Sequence, residues 1–164
     1  MNKIKSGIIG FALAIGVSGF ANAGISIPDC GDANGEINGA IVHLDTGHDY
    51  IEKLGLHNRF KGRKELRKAV VDITGARVAL ADCGILPVGL DLADFDFSVI
   101  DPFQLLVDLE IDLDGGNITN MHVLRAARIL AEHAILESYG ADDGDALNDI
   151  FTAIILLEWV QGNI

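Results

Sequence analysis

Apolar positions along the chain follow a helical rhythm for most of its length. Ile37, Ile41, Leu44, His48 and Ile51 recur at spacings of three and four, which predicts a helix over residues 37–54 with Gly55 as its stop. Residues 24–35, rich in Gly and Asp, read as an irregular entry segment, and residues 56–62 as a polar, basic connection. Leu66, Ala69, Val70, Ile73, Ala76 and Leu80 share one face of a second helix over 63–83, with Gly84 suited to a left-handed C-terminal cap and Gly75 weakening the interior.

The period then changes. Phe95, Phe97 and Val99 alternate with Asp94, Asp96 and Ser98. Leu105, Val107, Leu109, Ile111 and Leu113 alternate with Asp108, Glu110, Asp112 and Asp114, and only Leu106 breaks the rule. Alternation at period two predicts two half-buried strands joined at Asp101-Pro102-Phe103-Gln104, an acidic β-hairpin. The same turn supports a competing reading. Asp101 at N-cap, Pro102 at N1 and Gln104 at N3 would start a short helix.

Helical spacing resumes with Val123, Ala127, Leu130, Ala131, Ala134 and Ile135, a third helix over 120–139, where Arg128 and Glu132 are spaced for an i,i+4 pair. A last helix over 146–161, with Asp145 as N-cap, is apolar nearly all round. Such a helix is central to a core or shared with a partner. The expected fold is mainly α: about four helices around an aliphatic core, with the acidic hairpin between helices 2 and 3.

The chain start changes the setting. Lys3 and Lys5 precede an uncharged apolar run from Gly7 to Phe20 and the small-residue site Ala21-Asn22-Ala23. That is the pattern of a secretory signal over residues 1–23, leaving 24–164 as a single secreted or periplasmic domain with no later membrane span. In an oxidising compartment the two cysteines, Cys30 and Cys83, are expected to pair. The bridge would close a loop of about 54 residues, worth roughly 4 kcal/mol in the chain-entropy account.

Charge adds a polarity. Losing Lys3 and Lys5 takes the formal net charge from −12 to −14, which argues against nucleic acid and anionic lipid as partners. The basic residues cluster at Lys53, Arg59, Lys61, Arg63, Lys64, Arg67 and Lys68. No Lys or Arg occurs between Val78 and Leu124, where Asp82, Asp91, Asp94, Asp96, Asp101, Asp108 and Glu110 fall. Basic residues 59–68 and acidic residues including Asp94, Asp96, Asp108 and Glu110 are thus candidate interaction surfaces, complementary within one molecule or between copies. A head-to-tail contact between copies would propagate.

Catalytic chemistry finds little support. Ser26, Ser98 and Ser138 sit in no nucleophile elbow, and the chain has no P-loop, dinucleotide-binding, HExxH or haem-attachment motif. His48 with Glu52, and His133 with Glu137, are i,i+4 pairs that could clasp a metal, but no set of three or four ligands is recognisable, and His48 reads as a core residue. Asp112-Leu113-Asp114-Gly115-Gly116-Asn117-Ile118-Thr119 followed by a helix resembles the calcium loop of dockerin and related EF-hand-like repeats, with one residue deleted and His122 where the closing acid belongs. Asp32, Asn34 and Glu36, with Gly35 and Ile37, repeat the shortened pattern. The resemblance implies calcium held by Asp112, Asp114 and Asn117, and by Asp32, Asn34 and Glu36; otherwise these are acidic helix-entry turns that need no cofactor. The expectation is a non-enzymatic exported protein that binds a protein partner or itself through the basic patch, the acidic segment and the apolar last helix. A calcium-binding module and a small exported enzyme are the alternatives.

Overall fold

The computed structural model describes residues 31–83, 89, 100–113, 118–140 and 143–164. The chain forms α1 (Gly31–Glu52), α2 (Leu56–Asp82), α3 (Pro102–Asp108), α4 (Asn120–Glu137) and α5 (Gly144–Gly162). Among the described residues there is no strand, only an isolated antiparallel bridge between Gly89 and Thr119.

The four long helices close a ring. α1 packs on α2 and α5, α4 packs on the same two helices, and α3 leans on α4. Each contributes the stripe its spacing requires. Ile37, Leu44 and Ile51 of α1 and Leu66, Ile73 and Leu80 of α2 are fully buried. They meet Leu124, Leu130 and Ala134 of α4 and Ile150, Leu156, Leu157 and Val160 of α5. The near-continuous apolar character of α5 therefore serves the core, and Phe151 is its large exposed exception.

α1 and α2 approach closely because both present small residues. A Cβ at Gly62 would lie 2.7 Å from Ile51 Cγ1 and 3.1 Å from the Gly47 carbonyl, and one at Gly47 would lie 2.8 Å from Leu66 Cδ2. The hairpin between them turns through Leu54 at φ 47° and Gly55 at φ 101°.

Several boundaries differ from expectation. α1 begins at Gly31 and absorbs residues 31–35 of the supposed entry segment, since Ala33 already sits on the buried face of Ile37 and Ala40. α2 begins at Leu56 and absorbs the supposed connection, so the basic residues lie on a helix. α5 starts at Gly144 with Asp143 as the capping position, ahead of Asp145.

The second strand of the expected hairpin is replaced by α3. Asp101 Oδ1 accepts from the backbone N–H groups of Phe103 (3.0 Å) and Gln104 (3.2 Å), and Pro102 occupies the first turn. Pro102 and Leu106, four apart, are the buried pair of this helix, whereas Val107 is exposed. Leu106, the residue that broke the alternation, is thus the one the core needs. The first expected strand, with Asp94 and Asp96, lies outside the described residues, as do the signal region, Cys30 and Gly84.

Candidate functional site

The basic run divides into two sets with different work. Arg59, Arg63 and Arg67 are successive i,i+4 neighbours on α2, so they project along one line. That line faces the α4–α5 turn. Arg59 Nη1 donates to the Gly140 carbonyl (2.7 Å) and Nη2 pairs with Asp143; Arg63 Nη1 donates to the Ser138 carbonyl (3.1 Å); Arg67 Nη2 reaches the Tyr139 hydroxyl (3.2 Å). The Arg63 guanidinium also stacks 4.1 Å from the Tyr139 ring centroid. α4 has no basic residue in its own last turn. The arginines of α2 supply it, satisfying carbonyls just beyond its end and opposing the negative end of its dipole. Among the described residues, the partners of these three arginines are Ser138, Tyr139, Gly140 and Asp143.

Lys64 and Lys68, with Arg67 between them, line the outer face of the α1/α2 hairpin, away from the core stripe. Here two depressions adjoin. The larger, about 920 Å³, is walled by carboxylates: Asp32 and Glu36 from α1, Asp72 and Asp82 from α2, with Val71 and Val78 beside them. The smaller, about 490 Å³, is lined by His43 of α1 and by Lys64, Arg67 and Lys68 of α2. Val71 and Asp72 line both, so the two form one continuous surface with an acidic and a basic end.

Glycine shapes the acidic end. The Asp72 carboxylate lies where a Cβ on Gly39 would fall (2.9 Å from Oδ2), and the Glu36 carboxyl lies 2.9 Å from the Cβ position of Gly75. Each helix thus carries an acid in the space opened by a glycine of the other. At the junction, His43 Nδ1 lies 2.8 Å from Glu65 and its Nε2 lies 3.7 Å from Asp72. Lys68 bonds Glu65 at 2.8 Å and, with His43, holds that carboxyl below its ordinary range against the opposing effect of burial. Asp32, Glu36, Asp82 and Lys64 make no ion pair among the described residues. Val71 is 68% exposed and Val78 55%, so the face is apolar as well as charged. Lys61 is turned aside, over the Tyr50 ring at 5.4 Å.

The other candidates are scattered. Asp108 accepts from Gln104 Nε2 (2.8 Å) at the exposed end of α3, and Glu110 is exposed at φ 55°. Asp112 is exposed, while Asp114 and Asn117 lie outside the described residues. Asp32, Asn34 and Glu36 sit inside α1, so the shortened calcium pattern there is helix and not loop. His122 completes a capping box with Thr119: the Thr119 N–H donates to His122 Nδ1 (3.3 Å) and the His122 N–H to Thr119 Oγ1 (3.4 Å). Ile118, the aliphatic position of the calcium pattern, is a core residue.

His48 is partly exposed instead of core, and its ligand atom lies within 4.8 Å of those of Asp49 and Glu52. Asp49 is also 3.6 Å from Lys53. On α5, the partly buried Asp149 has its pKa pushed up to about 6, chiefly by burial and then by the Glu137 carboxylate; Asp145 adds to the rise and His133 opposes it. None of the described helices is long and apolar enough to cross a membrane.

The chain matches no protein-family model, no curated protein and no solved structure.

Proposed function

We propose that this is an exported, non-enzymatic binding protein whose outer α1/α2 face docks a protein segment of mixed basic and apolar character. The observation that carries the reading is the acidic depression. Among the described residues, Asp32, Glu36 and Asp82 make no ion pair there, beside exposed Val71 and Val78. Carboxylates steer and orient a cationic partner, and the valines supply burial that ions alone do not. The wide opening of this depression suits a side-chain-bearing segment better than an enclosed small molecule. Export rests on the pattern of residues 1–23.

The same reading includes a Cys30–Cys83 disulfide. α1 starts one residue after Cys30 and the antiparallel α2 is capped by Cys83, while Gly31 and Asp82 line one depression. A bridge there would clamp the acidic end of the face.

The test is calorimetric titration with two amphipathic peptides of equal length, one of Lys and Leu, one of Glu and Leu. The basic peptide should bind and weaken with salt, and Glu36→Lys/Asp82→Lys should abolish binding. Equal affinity for both peptides, or none for the basic one, would sink the proposal.

A further inference from the structure

Building on that docking face, we infer that its occupant is the same face of a second copy, laid antiparallel across a two-fold axis at Val71. The geometry points there because the acidic and basic depressions meet at Val71 and Asp72 on one surface. A rotation of 180° about that junction exchanges the two ends. The acids of each copy then face the bases of its partner, and they do so twice.

The register is explicit. With α2 crossing its own copy antiparallel at Val71, positions equidistant from 71 come opposite each other. Lys64 meets the turn of Val78, and Phe60 meets Asp82. Lys68 falls near Thr74, one residue from Gly75, where the Glu36 carboxylate lies. Val71 packs on its own symmetry mate, and exposed Phe60 and Val78 flank it. A parallel arrangement would set like charge against like.

The extent suffices. From position 60 to 82, a helix runs about 33 Å, and two helices side by side give a strip about 20 Å wide. That is on the order of the ~800 Å² per partner of a stable interface. Because each copy uses the same patch, the contact is isologous and closes at two, unlike a head-to-tail chain.

Light scattering after size exclusion tests this. The purified protein at low salt should show twice the monomer mass, falling to monomer at high salt. Val71→Asp, a surface change that leaves the fold intact by circular dichroism, should give monomer at both. An all-acidic variant (Lys64→Glu/Lys68→Glu) and an all-basic one (Glu36→Lys/Asp82→Lys) should each be monomeric alone and form a dimer when mixed. Four results overturn the inference: monomer at low salt, a dimer that survives Val71→Asp, no dimer on mixing the two variants, or species that keep growing with concentration. If the protein is monomeric and still binds the Lys/Leu peptide, the dimer falls and the docking face stands. Loss of both removes both.

Discussion

Arg59 of α2 is paired with the buried carboxylate of Asp143, across 84 residues of sequence, at the turn that joins α4 to α5. The pair is one-sided: Arg59 Nε and Asp143 Oδ1 are buried without partners among the described residues. Removing one member leaves the other charge stranded, which typically costs about 3–5 kcal/mol, whereas removing both is far milder. Arg59→Met should therefore cost about 3 kcal/mol in chemical denaturation, and Arg59→Met/Asp143→Asn should recover more than ~1 kcal/mol of that loss. Additive single effects would show that the pair is not coupled.

Two glycines of the helical hairpin should respond in opposite directions to the same substitution. Gly62→Ala drives a methyl into Ile51 and the Gly47 carbonyl. It should destabilise by about 1–3 kcal/mol, the usual cost of overpacking. Gly35 has nothing within 4 Å of its Cβ position. Gly35→Ala should stabilise by roughly 0.5–1 kcal/mol through helix propensity. The two melting temperatures, measured side by side, settle it.

Stability should fall as pH rises through the range where Asp149 titrates. Its pKa is 3.8 ordinarily and about 6 in the fold. Between these values the folded chain holds a proton that the unfolded chain has released, so the folded state binds more protons and its stability drops with rising pH. The contribution is complete below about pH 4 and gone above about pH 6; allowing for the water that reaches this carboxyl, it amounts to about 1–2 kcal/mol. Asp149→Asn should flatten that slope and stabilise the protein at neutral pH. Denaturation series at acidic and neutral pH read it directly.

The proposed Cys30–Cys83 pairing predicts that the protein has no titratable thiol under denaturing conditions until it is reduced. Reduction should cost about 4 kcal/mol in the chain-entropy account, since the loop is long. Two thiols titrating without reductant would remove the bridge.

Much of the fold was legible because helix burial is periodic. The stripes Ile37-Leu44-Ile51, Leu66-Ile73-Leu80 and Val123-Ala127-Leu130 are all core, as their spacing requires. The acidic alternation misled over 105–108 because a short helix and a strand both tolerate it. The capping chemistry of Asp101 and Pro102 and the burial of Leu106 decided for the helix. The proposed docking face was legible only as a charge imbalance. Lys64 and Lys68 were flagged, and so was Glu36, though as a calcium ligand. Asp72 and Val71 were missed, because only α1–α2 packing sets them beside Asp32 and Glu36. A signal was present in Gly39 of α1 and Gly75 of α2, whose missing side chains leave the space that the Asp72 and Glu36 carboxylates fill.

By itself the sequence determined that this chain is mainly helical, where the aliphatic stripes of the four long helices fall, and that its charge is bipolar. Those properties follow from composition and from periods of three to four residues, which act within a turn or two. Tertiary structure alone decided where the charges went. Arg59 and Arg63 of α2 turned to the carbonyls beyond the end of another helix, Lys64 and Lys68 stayed out, and acids from two helices converged over each other's glycines. Those pairings join residues far apart in the chain, and the packing of the helices chooses them.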